Sequence, residues 1–165
     1  MKSITRSLAA FIAIVIMIAL DQITKLIAVN TLKGNNPFVI INNVFELSYL
    51  ENHGAAFSML QGKQTFFTIL TIVVMIICIF AYIKLLPHNQ FLWLRVAIVF
   101  LVAGAIGNFI DRFRQSYVVD FFYFKLINFP VFNVADIYVT IAAILFCILV
   151  IFVYKDDDFK GVFSK

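Results

Sequence analysis

Two carboxylates, Asp120 and Asp136, interrupt a stretch from Val118 to Thr140 that is otherwise apolar and aromatic. Aspartates in a partly dry setting have a defined capability. Two carboxyl groups about 3 Å apart do not both ionise readily, so they share a proton and titrate as a pair. The ionised member can take a proton from water while the protonated member donates to a carbonyl oxygen. Together they hydrolyse a peptide bond without a metal or a covalent intermediate. The two residues lie on different elements, and spacing alone leaves open whether they meet. Asp136 also has a plain structural reading. With Asn133 three residues before it, the pair fits an N-cap and an N3 acid serving a helix dipole. Asp120 has no helix of its own to cap.

Other chemistries find little support in the composition. Cys78 and Cys147 each stand alone within an apolar run, where a thiol packs as a small apolar group. His53 and His88 are isolated, so no metal-ligand cluster forms and neither metal nor cofactor is expected.

The carboxylates must be positioned by elements that sit in a bilayer. The 165 residues are 63% hydrophobic and 13% charged, against roughly 25% charged in a soluble domain. The length suits one integral membrane domain over residues 1–165. Apolar runs at about 8–29, 66–86, 91–110 and 134–154 are each near the ~20 residues that a helix needs to cross the hydrocarbon. Basic residues sort unevenly about these four spans. Lys2, Arg6, Lys84, Arg95, Lys155, Lys160 and Lys165 fall on one side; Lys33, Lys63, Arg112, Arg114 and Lys125 fall on the other. That asymmetry places both termini in the cytoplasm. The run Asp156–Asp158 reads as a solvated tail.

Between the spans, Pro87–Gln90 is a tight turn. The longer connection after the first span reads as β: Phe38–Ile41, then Asn42-Asn43 as turn residues, then Val44–Tyr49, where Phe45, Leu47 and Tyr49 alternate with Glu46 and Ser48. The aromatic segment at about 120–129, with Phe121, Phe122, Tyr123 and Phe124, suits an amphipathic element at the interface.

Four spans also dictate where the polar residues gather. Asp21 and Lys25 end the first span, Asn52 and His53 precede the second, Asn108, Asp111 and Arg112 end the third, and Asn133 and Asp136 begin the fourth. All of them fall at one membrane surface, and the opposite surface is expected to lack a comparable cluster. Gly104, Asn108 and Asp111 share a face of the third span, with Gly107 four before Asp111. Small residues there let a neighbouring backbone approach. Asp21 and Lys25 stand i,i+4 in the favourable order for an ion pair. A proton-coupled carrier would need polar residues through the full depth of the bundle, which the inner halves lack. A purely structural membrane protein would tolerate Asp120→Asn or Asp136→Asn.

Five segments in this order, D-Q-I-T-K (Asp21–Lys25), N-H-G-A-A-F-S (Asn52–Ser58), G-N-F-I-D-R (Gly107–Arg112), V-V-D-F (Val118–Phe121) and F-N-V-A-D (Phe132–Asp136), resemble lipoprotein signal peptidase, the type II signal peptidase of bacteria. The resemblance implies an aspartic endopeptidase of the bacterial cytoplasmic membrane, with its active site near the outer face. Such an enzyme removes signal peptides from prolipoproteins just before a diacylglyceryl-modified cysteine. The resemblance also implies an all-α membrane protein of four transmembrane helices with a small extracytoplasmic β-cradle, here about 36–58, and a short amphipathic surface helix. Asp120 and Asp136 match the catalytic pair. Asn52, Gly54, Asn108, Arg112, Asn133 and Ala135 match motif positions lining the site, and Asp21, Lys25 and Asp111 are structural polar residues. Expected partners are lipid-modified prolipoproteins and membrane lipids, with no nucleic acid; a monomer is favoured.

Overall fold

The computed structural model describes residues 2–54 and 64–162. Helix α1 runs from Lys2 to Leu32, α2 from Gln64 to Leu85, α3 from Leu92 to Gln115 and α4 from Val134 to Ile148, where a π-helical turn, Leu149–Val153, prolongs it. Among the described residues these are four helices long and apolar enough to cross a membrane. The four-helix architecture expected from the sequence is therefore present. Their outward faces are apolar: Ile76, Ile83 and Ile151 are each more than 60% exposed, a distribution stable only against lipid.

Three strands form an antiparallel sheet in the order β1 (Phe38–Ile41), β2 (Phe45–Asn52), β3 (Val118–Phe124). The hairpin turns where its Asn pair predicts, with Asn43 at φ 58°, a left-handed conformation that Asn tolerates better than most residues. Strand β2 continues past Tyr49 to Asn52, which brings Asn52 into the sheet. The part of the expected cradle at 55–58 lies outside the described residues.

The aromatic segment at about 120–129, expected as an amphipathic surface helix, is different. It is strand β3, followed by a single 3-10 turn, Lys125–Ile127. Val118, Val119 and the run Phe121–Phe124 are strong strand formers, and β2 offers them a free edge. The register pairs Leu50 with Asp120, Glu51 with Val119 and Asn52 with Val118. Beyond the turn the chain doubles back, and Phe132 exchanges backbone hydrogen bonds with Phe122.

Two glycines on α3 set how closely the helices approach. A Cβ on Gly104 would stand 2.5 Å from the Ala135 carbonyl oxygen and 2.8 Å from a Val139 methyl; one on Gly107 would stand 2.6 Å from an Asp21 carboxylate oxygen. Neither position accommodates a side chain without displacement, so α1, α3 and α4 converge only because both are glycine. Apolar residues are buried at both ends of the bundle. Ala28, Leu32, Val119 and Phe121 pack beneath the sheet, and Leu85, Phe91, Leu94, Leu149 and Val162 pack at the opposite end.

That opposite end departs from expectation. Arg95 is buried there, and its Nη1 donates to the carbonyl oxygens of Leu85 (2.8 Å) and His88 (2.7 Å). The guanidinium is held by the last carbonyl of α2 and one from the turn that follows it, groups that a helix end leaves without partners.

Candidate functional site

Asp120 and Asp136 come together through the sheet and one helix start. In β3, Asp120 is directly opposite Leu50. Side chains two apart on a strand share a face, so Asn52 lies diagonal to Asp120 and donates its Nδ2 to Oδ2 at 2.8 Å. Asn133 donates to the other oxygen, Oδ1. Asp120 is 1% exposed. Burial, followed by the nearby charge of Asp136, pushes its carboxyl up to about 7, against the pull of the Asn52 and Asn133 amides.

Asp136 occupies the N3 position of α4. Its Oδ2 accepts from the Asn133 backbone N–H (3.1 Å) and the Asn133 side chain accepts from the Asp136 N–H (3.0 Å), a reciprocal capping box. The other oxygen remains for Asn108, whose Nδ2 donates to it at 2.8 Å. The capping role and a carboxylate oxygen turned to the site therefore coexist, because the carboxylate has two oxygens and the cap uses one.

The two asparagines connect the acids. Asn133 Nδ2 also reaches Asn108 Oδ1 at 3.2 Å, so Asp120, Asn133, Asn108 and Asp136 form one chain of contacts. Asn108 is oriented from behind by Lys25, whose Nζ donates to Oδ1 at 3.0 Å. That bond leaves the Asn108 NH2 free to face Asp136.

Lys25 is itself the centre of a buried cluster. It pairs with Asp21 at 2.9 Å and Asp111 at 3.0 Å, and all three side chains are nearly inaccessible. The i,i+4 pair read from the sequence is present, and Asp111 turns toward Lys25. The remaining carboxylate oxygens are occupied. Asp21 Oδ1 accepts from the Ala135 N–H (2.9 Å), and Asp111 Oδ2 also accepts from the Val119 N–H (3.2 Å). Gln22 Nε2 donates to Asp111 Oδ1 at 2.9 Å and to the Gly107 carbonyl. The cluster thereby ties α1 to α3, to the start of α4 and to β3. Breaking such a buried network by removing one partner typically costs about 3–5 kcal/mol.

Both aspartates open onto one cavity of about 790 Å³. Asn52, Asn108 and Arg112 line it with them. Phe129, Phe132, Ile137 and Ile141 supply apolar wall. Gly54 and Ala135 do not line the cavity. Gly54 accepts Arg112 Nη2 at its carbonyl (3.1 Å) and donates its N–H to Asn52 Oδ1 (2.9 Å). Ala135, with no exposed surface, serves through its N–H. Asn133 lies behind the acids, fully buried.

Sequence reasoning missed several contributors. Gln22 lacks a charge and so escaped a search for charge, although it stands beside Asp21 in the same segment. Leu50 and Val118 enter the cavity wall through a strand pairing that the aromatic segment concealed. Lys33 and Tyr49 converge on Glu51 at 2.8 and 2.9 Å, fastening the end of α1 to the strand that carries Asn52. Among the described residues no group of three or more His, Cys, Asp or Glu is placed to hold a metal ion.

The chain matches the family model described as signal peptidase (SPase) II over residues 13–152. It is 43% identical over 145 residues to a lipoprotein signal peptidase of Streptococcus agalactiae serotype Ia, covering 87% of this chain and 90% of that one. It is 38% identical over 148 residues to one from Streptococcus pyogenes serotype M5, covering 90% and 94%. A solved structure described as a bacterial membrane enzyme, obtained by the in meso method at 2.3 Å resolution, superposes with a TM-score of 0.77. It is 33% identical, with 95% of this chain and 92% of that chain covered.

Proposed function

The chain belongs to the signal peptidase II family, and from that premise we propose that it is an aspartic endopeptidase that removes signal peptides from prolipoproteins, with Asp120 and Asp136 as its catalytic pair. The observation that carries this reading is the pair itself: two carboxylates from separate elements, Asp120 buried and Asp136 partly buried, joined by two amides on the wall of one cavity. The protein is a multi-pass membrane protein. Its termini lie in the cytoplasm on the basic-residue asymmetry, which puts the acids near the outer face of the cytoplasmic membrane.

The surroundings of the two acids divide their labour. Asp136 sits in the first turn of α4, where the helix dipole favours negative charge, and Lys25 lies one amide behind it. Asp120 is on a strand, without a dipole, and is 1% exposed. On these placements we assign Asp136 as the general base and Asp120 as the holder of the shared proton. A water between them loses a proton to Asp136 as its oxygen attacks the scissile carbonyl carbon, while Asp120 protonates the carbonyl oxygen. The neutral tetrahedral adduct collapses when Asp136 returns its proton to the leaving nitrogen and the Asp120 carboxylate recovers one from a hydroxyl. Both acids end as they began, and the net reaction is addition of one water across the amide bond.

Arg112 and Asn52 flank the pair on the cavity wall and offer donors to an extended substrate backbone; Arg112 is also suited to a lipid phosphate. The apolar wall suits the diacylglyceryl group on the substrate cysteine. A transport path is disfavoured because Arg95, a buried charge in the opposite half, has its Nη1 engaged by backbone carbonyls at and after the α2 terminus. The test is incubation of the purified protein with a diacylglyceryl-modified prolipoprotein beside its unmodified precursor. Cleavage before the modified cysteine, with the unmodified form spared, supports the assignment. Equal cleavage of both removes the lipid from the specificity, and cleavage of neither removes the function.

A further inference from the structure

The end of the bundle remote from the acids concentrates positive charge on a single helix terminus. Arg95 Nη1 donates to Leu85 O and His88 O and reaches Leu86 O at 3.5 Å. Arg6 Nη1 donates to the same Leu86 oxygen at 3.2 Å, so two guanidinium groups converge on one carbonyl. A helix C-terminus supplies about half an elementary charge against their two. Among the described residues neither arginine forms an ion pair with a carboxylate. Of the three acids in the nearby tail, Asp157 pairs with Lys160 and Asp158 caps the Lys155 N–H, and Asp156 forms no ion pair with either arginine. Neither guanidinium is neutralised by direct contact with a carboxylate of the described residues, which leaves positive charge at this end for something outside the chain to meet.

Beside Arg6 an apolar groove of about 230 Å³ opens between α1, α2 and α3, lined by Ser7, Phe11, Ile14, Cys78, Tyr82 and Val102 among others. Tyr82 joins the two features, since its side chain lines the groove and its hydroxyl donates to the Arg6 carbonyl at 3.3 Å. The geometry points to a binding site for an anionic phospholipid in the leaflet on the side of the chain termini, with an acyl chain in the groove and the phosphate on Arg6. Arg95 adds to the attraction from within the bundle. A zwitterionic lipid brings its own cation beside the phosphate and gains less from the same pair. The site shares no residue with the cavity that holds Asp120 and Asp136, so it stands whether or not the peptidase reading does.

Native mass spectrometry of the full chain, stripped of lipid and offered phosphatidylglycerol and phosphatidylcholine with identical acyl chains, tests it. Wild type should retain phosphatidylglycerol about fivefold more strongly, equivalent to ~1 kcal/mol at 1.4 kcal/mol per tenfold. Arg6→Gln, which leaves only the buried Arg95, should cut that preference to under twofold. Ala10→Phe, which fills the groove from α1 and leaves both arginines in place, should weaken retention of both lipids and keeps the test independent of any folding defect in Arg6→Gln. Parity in wild type, or an undiminished preference in Arg6→Gln, overturns the phosphate contact. Unchanged retention in Ala10→Phe overturns the acyl groove.

Discussion

Replacing Asp120 by Asn should make the stability of the protein less dependent on pH while disabling it; the new NH2 group faces an amide donor of Asn52 or Asn133, so the variant carries a constant cost and only the pH-dependent part of the difference is diagnostic. The Asp120 carboxyl sits at about 7 in the fold, against an ordinary value of 3.8, because burial and the charge of Asp136 oppose its ionisation. Between pH 4 and pH 7 the folded chain therefore holds a proton at this position that the unfolded chain has released. Stability falls as pH rises wherever the folded state binds more protons. The favourable contribution of Asp120 is fully present below its unfolded value and is lost as pH rises through 7. At 1.36 kcal/mol per pH unit, the ceiling on that loss is about 4 kcal/mol. The amide in the Asp120→Asn variant is neutral at every pH and of the same shape, so the variant avoids the loss. Thermal unfolding in detergent, read by near-UV circular dichroism at pH 4.5, 6 and 8, should show a gap between variant and wild type that widens with pH. About 3 kcal/mol of that ceiling falls between pH 4.5 and 8, so at roughly 2–4 °C per kcal/mol for a chain of this size the widening is at most about 6–12 °C. A gap constant to within 2 °C across that range would refute the argument, because it would mean that Asp120 ionises in the fold as readily as in the unfolded chain.

Further expectations concern the residues behind the acids. Lys25→Met leaves Asp21 and Asp111 facing each other without their cation and should cost about 3–5 kcal/mol; combination with Asp111→Asn should recover part of the loss, and additive losses in a thermal melt would contradict the shared network. Gly107→Ala forces a methyl to within 2.6 Å of an Asp21 oxygen, so its melting temperature should fall by several degrees, and an unchanged value would show that the α1–α3 approach is looser than described. The pH dependence of kcat/KM for prolipoprotein cleavage should be bell-shaped, with an alkaline limb near 7 where Asp120 loses its proton; a rate still rising at pH 9 would exclude Asp120 as the proton donor. EDTA should leave the rate unchanged, and inhibition reversed by added metal would point to a different mechanism.

The spans and the gathering of polar residues at one surface were legible because each rests on a strong local rule. Twenty apolar residues in a row have few uses besides crossing a bilayer, and an even alternation of sides follows once four spans are granted. The Asp21–Lys25 pair and the Asn133–Asp136 cap were legible for a related reason, since helix geometry fixes which residues three and four apart meet. Strand β3 was not. A run of aromatic residues at a membrane surface suits either an interfacial helix or a strand, and the choice was made by the free edge of β2, a contact distant in sequence. The meeting of Asp120 with Asn52 depends on that same pairing, so local reasoning could nominate both residues without placing them together. The burial of Arg95 was not legible, because a count of basic residues near span ends carries no information on it. Its position is decided by carbonyls at the end of α2 and in the turn that follows.

The account turns on two carboxylates acting as one catalytic unit, and single-turnover cleavage of a diacylglyceryl-modified prolipoprotein by Asp120→Asn and Asp136→Asn addresses it most directly. Both variants should be assayed in protein whose melting behaviour shows that it is folded. Loss of a general acid or base of this kind typically costs 10²–10⁴ in rate, so each variant should fall at least about a hundredfold. A folded variant of either kind that cleaves within tenfold of wild type would contradict the assignment.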